Sequence, residues 1–362
     1  MPDLGKLTAK SQEAVKNRCG FINCAESLPF VALRRLTKHM VTPPVWPLIA
    51  VFIAFIFIAA ATVYWIISRS RRTARLVEPD HADHRRVFSG LPLGEFILVD
   101  GFKIRFIQKG AGPDVLLLHG LCESIVTWRL NFNDLAKHYR VTAFDLPGFG
   151  FSSKLAGEDY GLDSQSRRVF EFMDRLNIVK PYLVAHSMGA AVAAWMAKSE
   201  PTKINKIALL APAVNRAVIW FHPRAAEWFG NMVRPFIITP TLIRRVYLKQ
   251  CVVEPPPDFE EAIPEFYRPF HNSPDSVKTL LRHNWLLNDK RLPKGLAQLE
   301  CPVLVIAGED DRIVKLKLMD EFLQLNPDAQ FVVFSNTGHQ IHEEKPTEVL
   351  TALCDFFDSP MV

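Results

Sequence analysis

The longest apolar stretch of the chain lies at residues 47–67, which contain no charged side chain. A helix of about twenty residues crosses a hydrocarbon core of ~30 Å, because each residue adds 1.5 Å. Trp46, Tyr64 and Trp65 lie near its two ends, where aromatic rings favour the headgroup level. A cleaved signal peptide fits poorly, since the stretch begins more than forty residues into the chain and ends in bulky side chains. The pattern predicts a single transmembrane helix at 47–67, after a polar segment at 1–46 and before a charged juxtamembrane linker at 68–90.

Beyond residue 90, short apolar runs alternate with stretches of helical periodicity. Six of these runs are predicted to be strands: 115–118, 141–144, 182–185, 206–210, 303–307 and 331–334. A hairpin is predicted at 96–99 and 103–107, around the dipeptide Asp100-Gly101, which suits a type I′ turn because it tolerates positive φ. Strands separated by helices favour a mostly parallel sheet with helices on both faces.

The regular alternation breaks at about residues 213–290. This stretch is rich in aromatic side chains and contains scattered prolines. Such an insertion is typical of a helical cap over the carboxyl edge of the sheet, where ligand sites of α/β proteins lie. The sequence therefore predicts one α/β domain at 91–362 with a cap at about 213–290.

The composition indicates a folded protein, and the distribution of charge favours a location at a membrane surface. Of the 362 residues, 49% are hydrophobic and 22% charged, which excludes a disordered chain or a small disulfide scaffold. The net charge is +5, with +7 in residues 1–86 and −2 in the rest. Because the basic residues flank the apolar segment, they favour a membrane surface over nucleic acid. Close to the segment, three basic residues precede it (Arg34, Arg35 and Lys38) and four follow it (Arg69, Arg71, Arg72 and Arg75), a difference that favours a C-terminal domain on the cytosolic side.

The sequence indicates no metal or cofactor. The six cysteines lack the paired spacing of a disulfide framework or of a zinc site. The glycines after Asp145 do not have the spacing of a dinucleotide-binding loop.

The candidate chemistry begins at Ser187. The apolar run 182–185 leads through His186 to Ser187 and then into a stretch of helical character. A serine on such a sharp turn projects its hydroxyl, and small residues are needed two positions away on each side because the backbone is crowded. The usual pattern is Gly-x-Ser-x-Gly, and here Ala185 replaces the first glycine. The backbone N–H groups of Leu121 and Met188 are the candidate oxyanion hole, because Leu121 follows a His-Gly turn at the end of an earlier strand.

An acid and a base follow the serine in the order Ser, Asp, His. Three carboxylates, those of Glu309, Asp310 and Asp311, stand just past the strand predicted at 303–307. An imidazole, that of His339, stands past the next strand. Two other histidines are not assigned to the triad. His119, in the His-Gly turn before Leu121, is interpreted as structural, and His342 is interpreted as the start of the last helix.

These spaced motifs resemble the α/β-hydrolase fold superfamily over roughly residues 90–357, in its serine esterase and lipase-like branch with an epoxide-hydrolase-like layout. The resemblance selects Asp311 as the acid, since the carboxylate of family members usually stands three residues after the glycine of this turn. It also implies His339 as the base and Ser187 as the nucleophile. Related epoxide hydrolases and haloalkane dehalogenases have an aspartate in place of Ser187.

The resemblance implies a serine hydrolase that cleaves carboxylic esters through a Ser187-His339-Asp311 triad and an acyl-enzyme, and the apolar stretch at 47–67 predicts that it is anchored in a membrane. Anchoring near a bilayer favours lipid acyl esters, such as monoacylglycerol or lysophospholipid, as substrates. A C–C bond hydrolase and an acyltransferase with the same triad remain alternatives. A non-catalytic receptor or membrane scaffold is a further alternative, which only Ala185 favours.

Overall fold

The computed structural model describes residues 85–214, 238–273 and 275–360. The predicted transmembrane helix at 47–67, the polar segment before it and most of the predicted linker lie outside these residues, as do parts of the predicted cap. No helix within the described ranges is both long and apolar enough to cross a membrane. The chain divides into two units, 1–67 and 68–362, and every described residue belongs to the second.

Eight strands form one sheet in the order β1-β2-β4-β3-β5-β6-β7-β8. They are β1 (Glu95–Val99), β2 (Phe102–Lys109), β3 (Asp114–Leu118), β4 (Arg140–Phe144), β5 (Tyr182–His186), β6 (Lys206–Leu210), β7 (Val303–Gly308) and β8 (Gln330–Phe334). Strand β2 pairs antiparallel with β1 and β4, and all other neighbours pair parallel. The mostly parallel sheet is confirmed, and each of the six predicted strands agrees with the observed one within a residue at either end.

The predicted hairpin is also confirmed. Asp100 and Gly101 connect β1 to β2 with φ angles of 47° and 78°. Positive φ at both central residues is the requirement of a type I′ turn, which matches the twist of the paired strands. The Asp100 carboxylate accepts a hydrogen bond from Nε of Arg168 at 2.9 Å, which fastens the turn to the neighbouring helix.

Helices cover both faces of the sheet. The α-helices of the described residues are α1 (Phe132–Leu135), α2 (Leu162–Arg175), α3 (Met188–Ser199), α4 (Pro240–Val246), α5 (Phe259–Asn272), α6 (Ser276–Leu287), α7 (Asp320–Leu325), α8 (Ile341–Glu344) and α9 (Pro346–Asp358). Alternate residues of a strand point to opposite faces. Leu116 and Leu118 of β3 accordingly lie in the core beneath α2 and α3. Leu117 lies in the core beneath α1 and α9.

The described chain between β6 and β7 is helical. After α4, a π-helical turn spans Tyr247–Cys251, and α5 and α6 follow. Helix α5 buries Phe259, Ile263, Phe266 and Phe270, a spacing that places them on one face. The predicted cap at 213–290 includes these helices, although its boundaries stay a prediction.

Candidate active site

Ser187 stands on a sharp turn between β5 and α3. Its φ of 50° lies in the left-handed region, which is costly for a residue with a side chain and marks a strained turn. The turn also explains the small neighbour after it. A Cβ on Gly189 would lie 2.5 Å from the carbonyl oxygen of His119 and 2.7 Å from that of Leu118. Ala185 lies within regular β5 and its φ is not positive, so the backbone at this position does not require a glycine.

The structure brings Ser187, His339 and Asp311 together. His339 Nε2 lies 3.0 Å from Ser187 Oγ, and His339 Nδ1 lies 2.7 Å from Asp311 Oδ2. All three residues are less than 10% exposed, at 7%, 4% and 6% respectively. They come from loops after β5, β8 and β7, because the carboxyl ends of parallel strands meet at one edge of the sheet.

Asp311 is the carboxylate of its turn that points inward. Its Oδ1 accepts hydrogen bonds from the backbone N–H groups of Ile313 and Val314 at 2.7 and 2.8 Å. Its other oxygen is thereby directed at His339, whereas Glu309 and Asp310 are exposed. The Asp311 carboxylate accepts the Nδ1–H of His339, which leaves Nε2 free to accept the Ser187 hydroxyl proton.

The candidate oxyanion donors lie on two different loops. Met188 is the first residue of α3, where backbone N–H groups lack intrahelical partners. Leu121 follows Gly120, whose own N–H donates to Glu123 Oε2 at 2.7 Å. Among the residues that the structure describes, neither the Leu121 N–H nor the Met188 N–H has a hydrogen-bond acceptor. Both remain available for a negatively charged oxygen, and their pairing stays a prediction.

The other histidines near the site have partners of their own. His119 Nε2 accepts the Leu146 N–H at 2.9 Å, and burial lowers the pKa of this imidazole. His342 lies in the short helix α8, which precedes the last helix α9, so the interpretation of His342 as the start of the last helix is wrong; its Nε2 lies 2.8 Å from Thr127 Oγ1. Burial also holds the pKa of His342 well below its usual range. The Ser187 hydroxyl is hydrogen-bonded to His339 and not to either of these imidazoles.

Glu123 and His186 are two further side chains at the site, and the sequence pattern indicated no role for Glu123 and no partner for His186. Their side chains contact each other, with His186 Nδ1 2.9 Å from Glu123 Oε1. The position of His186 beside Ser187 was the one available signal, and nothing in the sequence paired it with Glu123. No group of side chains in the described part of the chain is arranged to hold a metal ion.

A family model of the alpha/beta hydrolase fold matches residues 113–346 of the chain. The fold, the parallel sheet and the turn at Ser187 agree with this match, and the chain belongs to the alpha/beta hydrolase family.

Curated relatives of several activities resemble the chain. The acetyltransferase component of the acetoin cleaving system of Cupriavidus necator is 40% identical over 120 residues, which are 33% of this chain but only 32% of that protein. The 2-hydroxy-6-oxo-2,4-heptadienoate hydrolase of Pseudomonas putida is 23% identical, covering 73% of this chain and 96% of its own length. The monoacylglycerol lipase abhd6-A of Xenopus laevis is 24% identical, covering 70% of this chain and 77% of its own length.

Among solved structures, a membrane phospholipase A described as a bacterial virulence factor superposes with a TM-score of 0.62. It is 22% identical to this chain and covers 86% of it and 98% of its own length. At this identity the likeness shows the shared fold.

Proposed function

We propose that the protein is a serine hydrolase that cleaves carboxylic esters through an acyl-enzyme. His339 Nε2 takes the proton of Ser187 Oγ as this oxygen attacks the ester carbonyl. The N–H groups of Leu121 and Met188 stabilise the negative oxygen of the tetrahedral intermediate. His339 then gives its proton to the leaving alcohol, which leaves Ser187 acylated. In the second half of the reaction His339 takes a proton from water as the water oxygen attacks the acyl-enzyme, and it returns this proton to Ser187 Oγ as the acid is released.

The observation that carries this proposal is the continuous hydrogen-bond chain from Ser187 through His339 to Asp311, with spacings of 3.0 and 2.7 Å. A hydroxyl is a weak nucleophile unless an oriented base removes its proton. The hydrogen-bonded His339 supplies that base in the tautomer that the reaction needs.

We further propose that the substrates are lipid acyl esters, such as monoacylglycerol or lysophospholipid. The support is the predicted transmembrane helix at 47–67, whose C-terminal end lies only about twenty-five residues before the catalytic domain. Such an anchor keeps the site close to amphiphilic esters in a bilayer. The proposal includes a single-pass membrane location with the domain on the cytosolic side, and one curated relative carries the name monoacylglycerol lipase.

A C–C bond hydrolase is the second candidate. It is favoured by the likeness to the named 2-hydroxy-6-oxo-2,4-heptadienoate hydrolase, which covers nearly all of that protein. The same triad can serve this chemistry if a water attacks a vinylogous ketone and carbon is the leaving group.

The experiment that tests these candidates is a substrate panel on the purified full chain in detergent micelles, with Ser187→Ala as the control. The panel contains a long-chain monoacylglycerol, a lysophospholipid, a p-nitrophenyl butyrate and a vinylogous diketone acid. Ser187-dependent release of fatty acid, with the largest kcat/KM on a lipid ester, supports the full proposal. A preference for the short ester contradicts the lipid part, and cleavage of the diketone acid alone contradicts ester hydrolysis.

A further inference from the structure

A pair of oppositely charged side chains is buried behind the nucleophile and takes no part in the steps above. His186 is fully buried and Glu123 is 7% exposed. His186 Nδ1 lies 2.9 Å from Glu123 Oε1 and 3.1 Å from Oε2. Charged groups are rarely buried unless their partners offset the lost hydration.

Glu123 holds the loops on both sides of the site. Its Oε2 accepts a hydrogen bond from the N–H of Gly120 at 2.7 Å, and its Oε1 accepts one from Gln340 Nε2 at 2.8 Å. Gly120 directly precedes Leu121, whose N–H is the candidate oxyanion donor. Gln340 directly follows His339. One carboxylate therefore joins the oxyanion loop to the loop of the catalytic base.

His186 completes the connection. Its Nε2 lies 2.9 Å from the carbonyl oxygen of His339, and because a carbonyl only accepts, this nitrogen carries a proton. The two hydrogen bonds from Gly120 and Gln340 favour the ionised form of Glu123, and because an ionised carboxylate only accepts, His186 Nδ1–H is the third donor. His186 also directly precedes Ser187 in the chain.

Packing leaves these groups little freedom to shift. A Cβ on Gly120 would lie 2.9 Å from Glu123 Oε1 and 3.0 Å from His186 Nδ1, so the loop passes directly against the pair. The His186 ring lies between the rings of His339 and His342, each with its centroid 4.7 Å away.

The electrostatics agree with this geometry. Burial disfavours the charged form of Glu123, yet the neighbouring His186 holds the pKa of the carboxyl well below its usual range. Burial likewise disfavours charged His186, and the Glu123 carboxylate raises the pKa of the imidazole. Each group therefore favours the ionised form of the other.

We propose that Glu123 and His186 are positioning residues, an ion pair that holds the oxyanion loop at Leu121 and the His339 loop in a fixed relation to Ser187. This inference rests on the proposed serine hydrolase function. Misplacement of a reacting group by about 1 Å can cost about 10²-fold in rate. Loss of the pair is expected to slow attack by Ser187 while the triad residues themselves remain present.

The test measures the second-order rate constant and the final stoichiometry of labelling by a fluorophosphonate probe, on the full chain in detergent. Glu123→Gln is expected to reach the stoichiometry of the wild type with a rate constant lower by about 10- to 100-fold. Glu343→Gln is the matched control. Glu343 is another buried carboxylate, 2% exposed, whose partners are Arg129, Thr127 and Tyr247.

The control separates positioning from stability. Glu343→Gln is expected to lower the fraction of folded protein but to leave the rate constant per labelled molecule within about twofold, because the Glu343 side chain bonds to Arg129, Thr127 and Tyr247 and not to the backbone of either loop. A Glu123→Gln rate constant within threefold of the wild type overturns the proposal. If Glu123→Gln does not fold, the deciding variant is Gln340→Met, which removes the hydrogen bond from Gln340 to Glu123 and keeps the ion pair. A labelling rate constant below that of the wild type supports the proposal, and an unchanged rate constant overturns it. A wild type that does not label at all instead contradicts the proposed function.

Discussion

Replacing Asp311 by asparagine tests the role of the triad carboxylate, because it exchanges one carboxylate oxygen for an amide nitrogen and leaves the rest of the side chain unchanged. Asp311 Oδ1 accepts the N–H groups of Ile313 and Val314, and an asparagine retains those bonds only if its oxygen stays in that place. The amide nitrogen then replaces Oδ2, 2.7 Å from His339 Nδ1. Because that nitrogen donates, Nδ1 must accept, and the proton of the neutral imidazole moves to Nε2. His339 in this tautomer cannot take the Ser187 proton.

The expected loss is large and specific to catalysis. An asparagine in the carboxylate position of a Ser-His-Asp triad lowers kcat by about 10⁴-fold in a well-studied protease. This factor corresponds to about 5 kcal/mol of transition-state stabilisation. The melting temperature is expected to change little, since the two backbone bonds persist and the residue remains buried.

The assay is the initial rate of p-nitrophenyl butyrate hydrolysis, with Asp310→Asn as the control at the neighbouring exposed carboxylate. We expect Asp310→Asn to keep at least half of the wild-type rate. An Asp311→Asn variant that is folded and retains more than a tenth of that rate would refute the assignment of the acid.

Two further changes test the packing around the site. Gly189→Ala brings a Cβ within 2.5 Å of the His119 carbonyl oxygen and is expected to lower the free energy of unfolding by about 1–3 kcal/mol. Each kcal/mol should lower Tm by roughly 2–4 °C. The control Gly157→Ala adds a Cβ with no atom within 4 Å and should leave Tm unchanged. Burial lowers the pKa of His283 to about 3, so only the unfolded chain gains this proton as pH falls from about 6.5 toward 3. The wild type is expected to lose roughly 2–3 kcal/mol of stability from this group by pH 4.5. The fall in Tm between pH 7.5 and 4.5 should therefore be smaller in His283→Gln, and equal falls would contradict the linkage.

The strands and the three triad residues could be predicted from sequence because their signals are local. Each central strand is a short apolar run, and the serine, the carboxylates and the imidazole each follow the end of such a run. The choice of Asp311 over Asp310 came from the resemblance to a family. The structure gives the physical reason, which is that Asp311 accepts two backbone N–H groups and thereby points inward.

The pairing of Glu123 with His186 could not be predicted, since 63 positions separate them in the chain. Their contact follows from the order of the strands, because β3 and β5 are parallel neighbours and the segments after them meet at one edge. Local hydrophobic patterns do not specify which strands are neighbours. The proposed transmembrane helix at 47–67 depends on a local pattern alone and stays a prediction.

The measurement that tests the account most directly is fluorophosphonate labelling of the full chain in detergent, followed by mass spectrometric mapping of the labelled residue. The account predicts stoichiometric labelling of Ser187 in the wild type and no labelling in Ser187→Ala. Labelling of His339→Ala should be slower by several orders of magnitude, because the serine then lacks its base. A folded wild type that does not react, or one that reacts at another residue, would contradict the claim that Ser187 is an activated nucleophile.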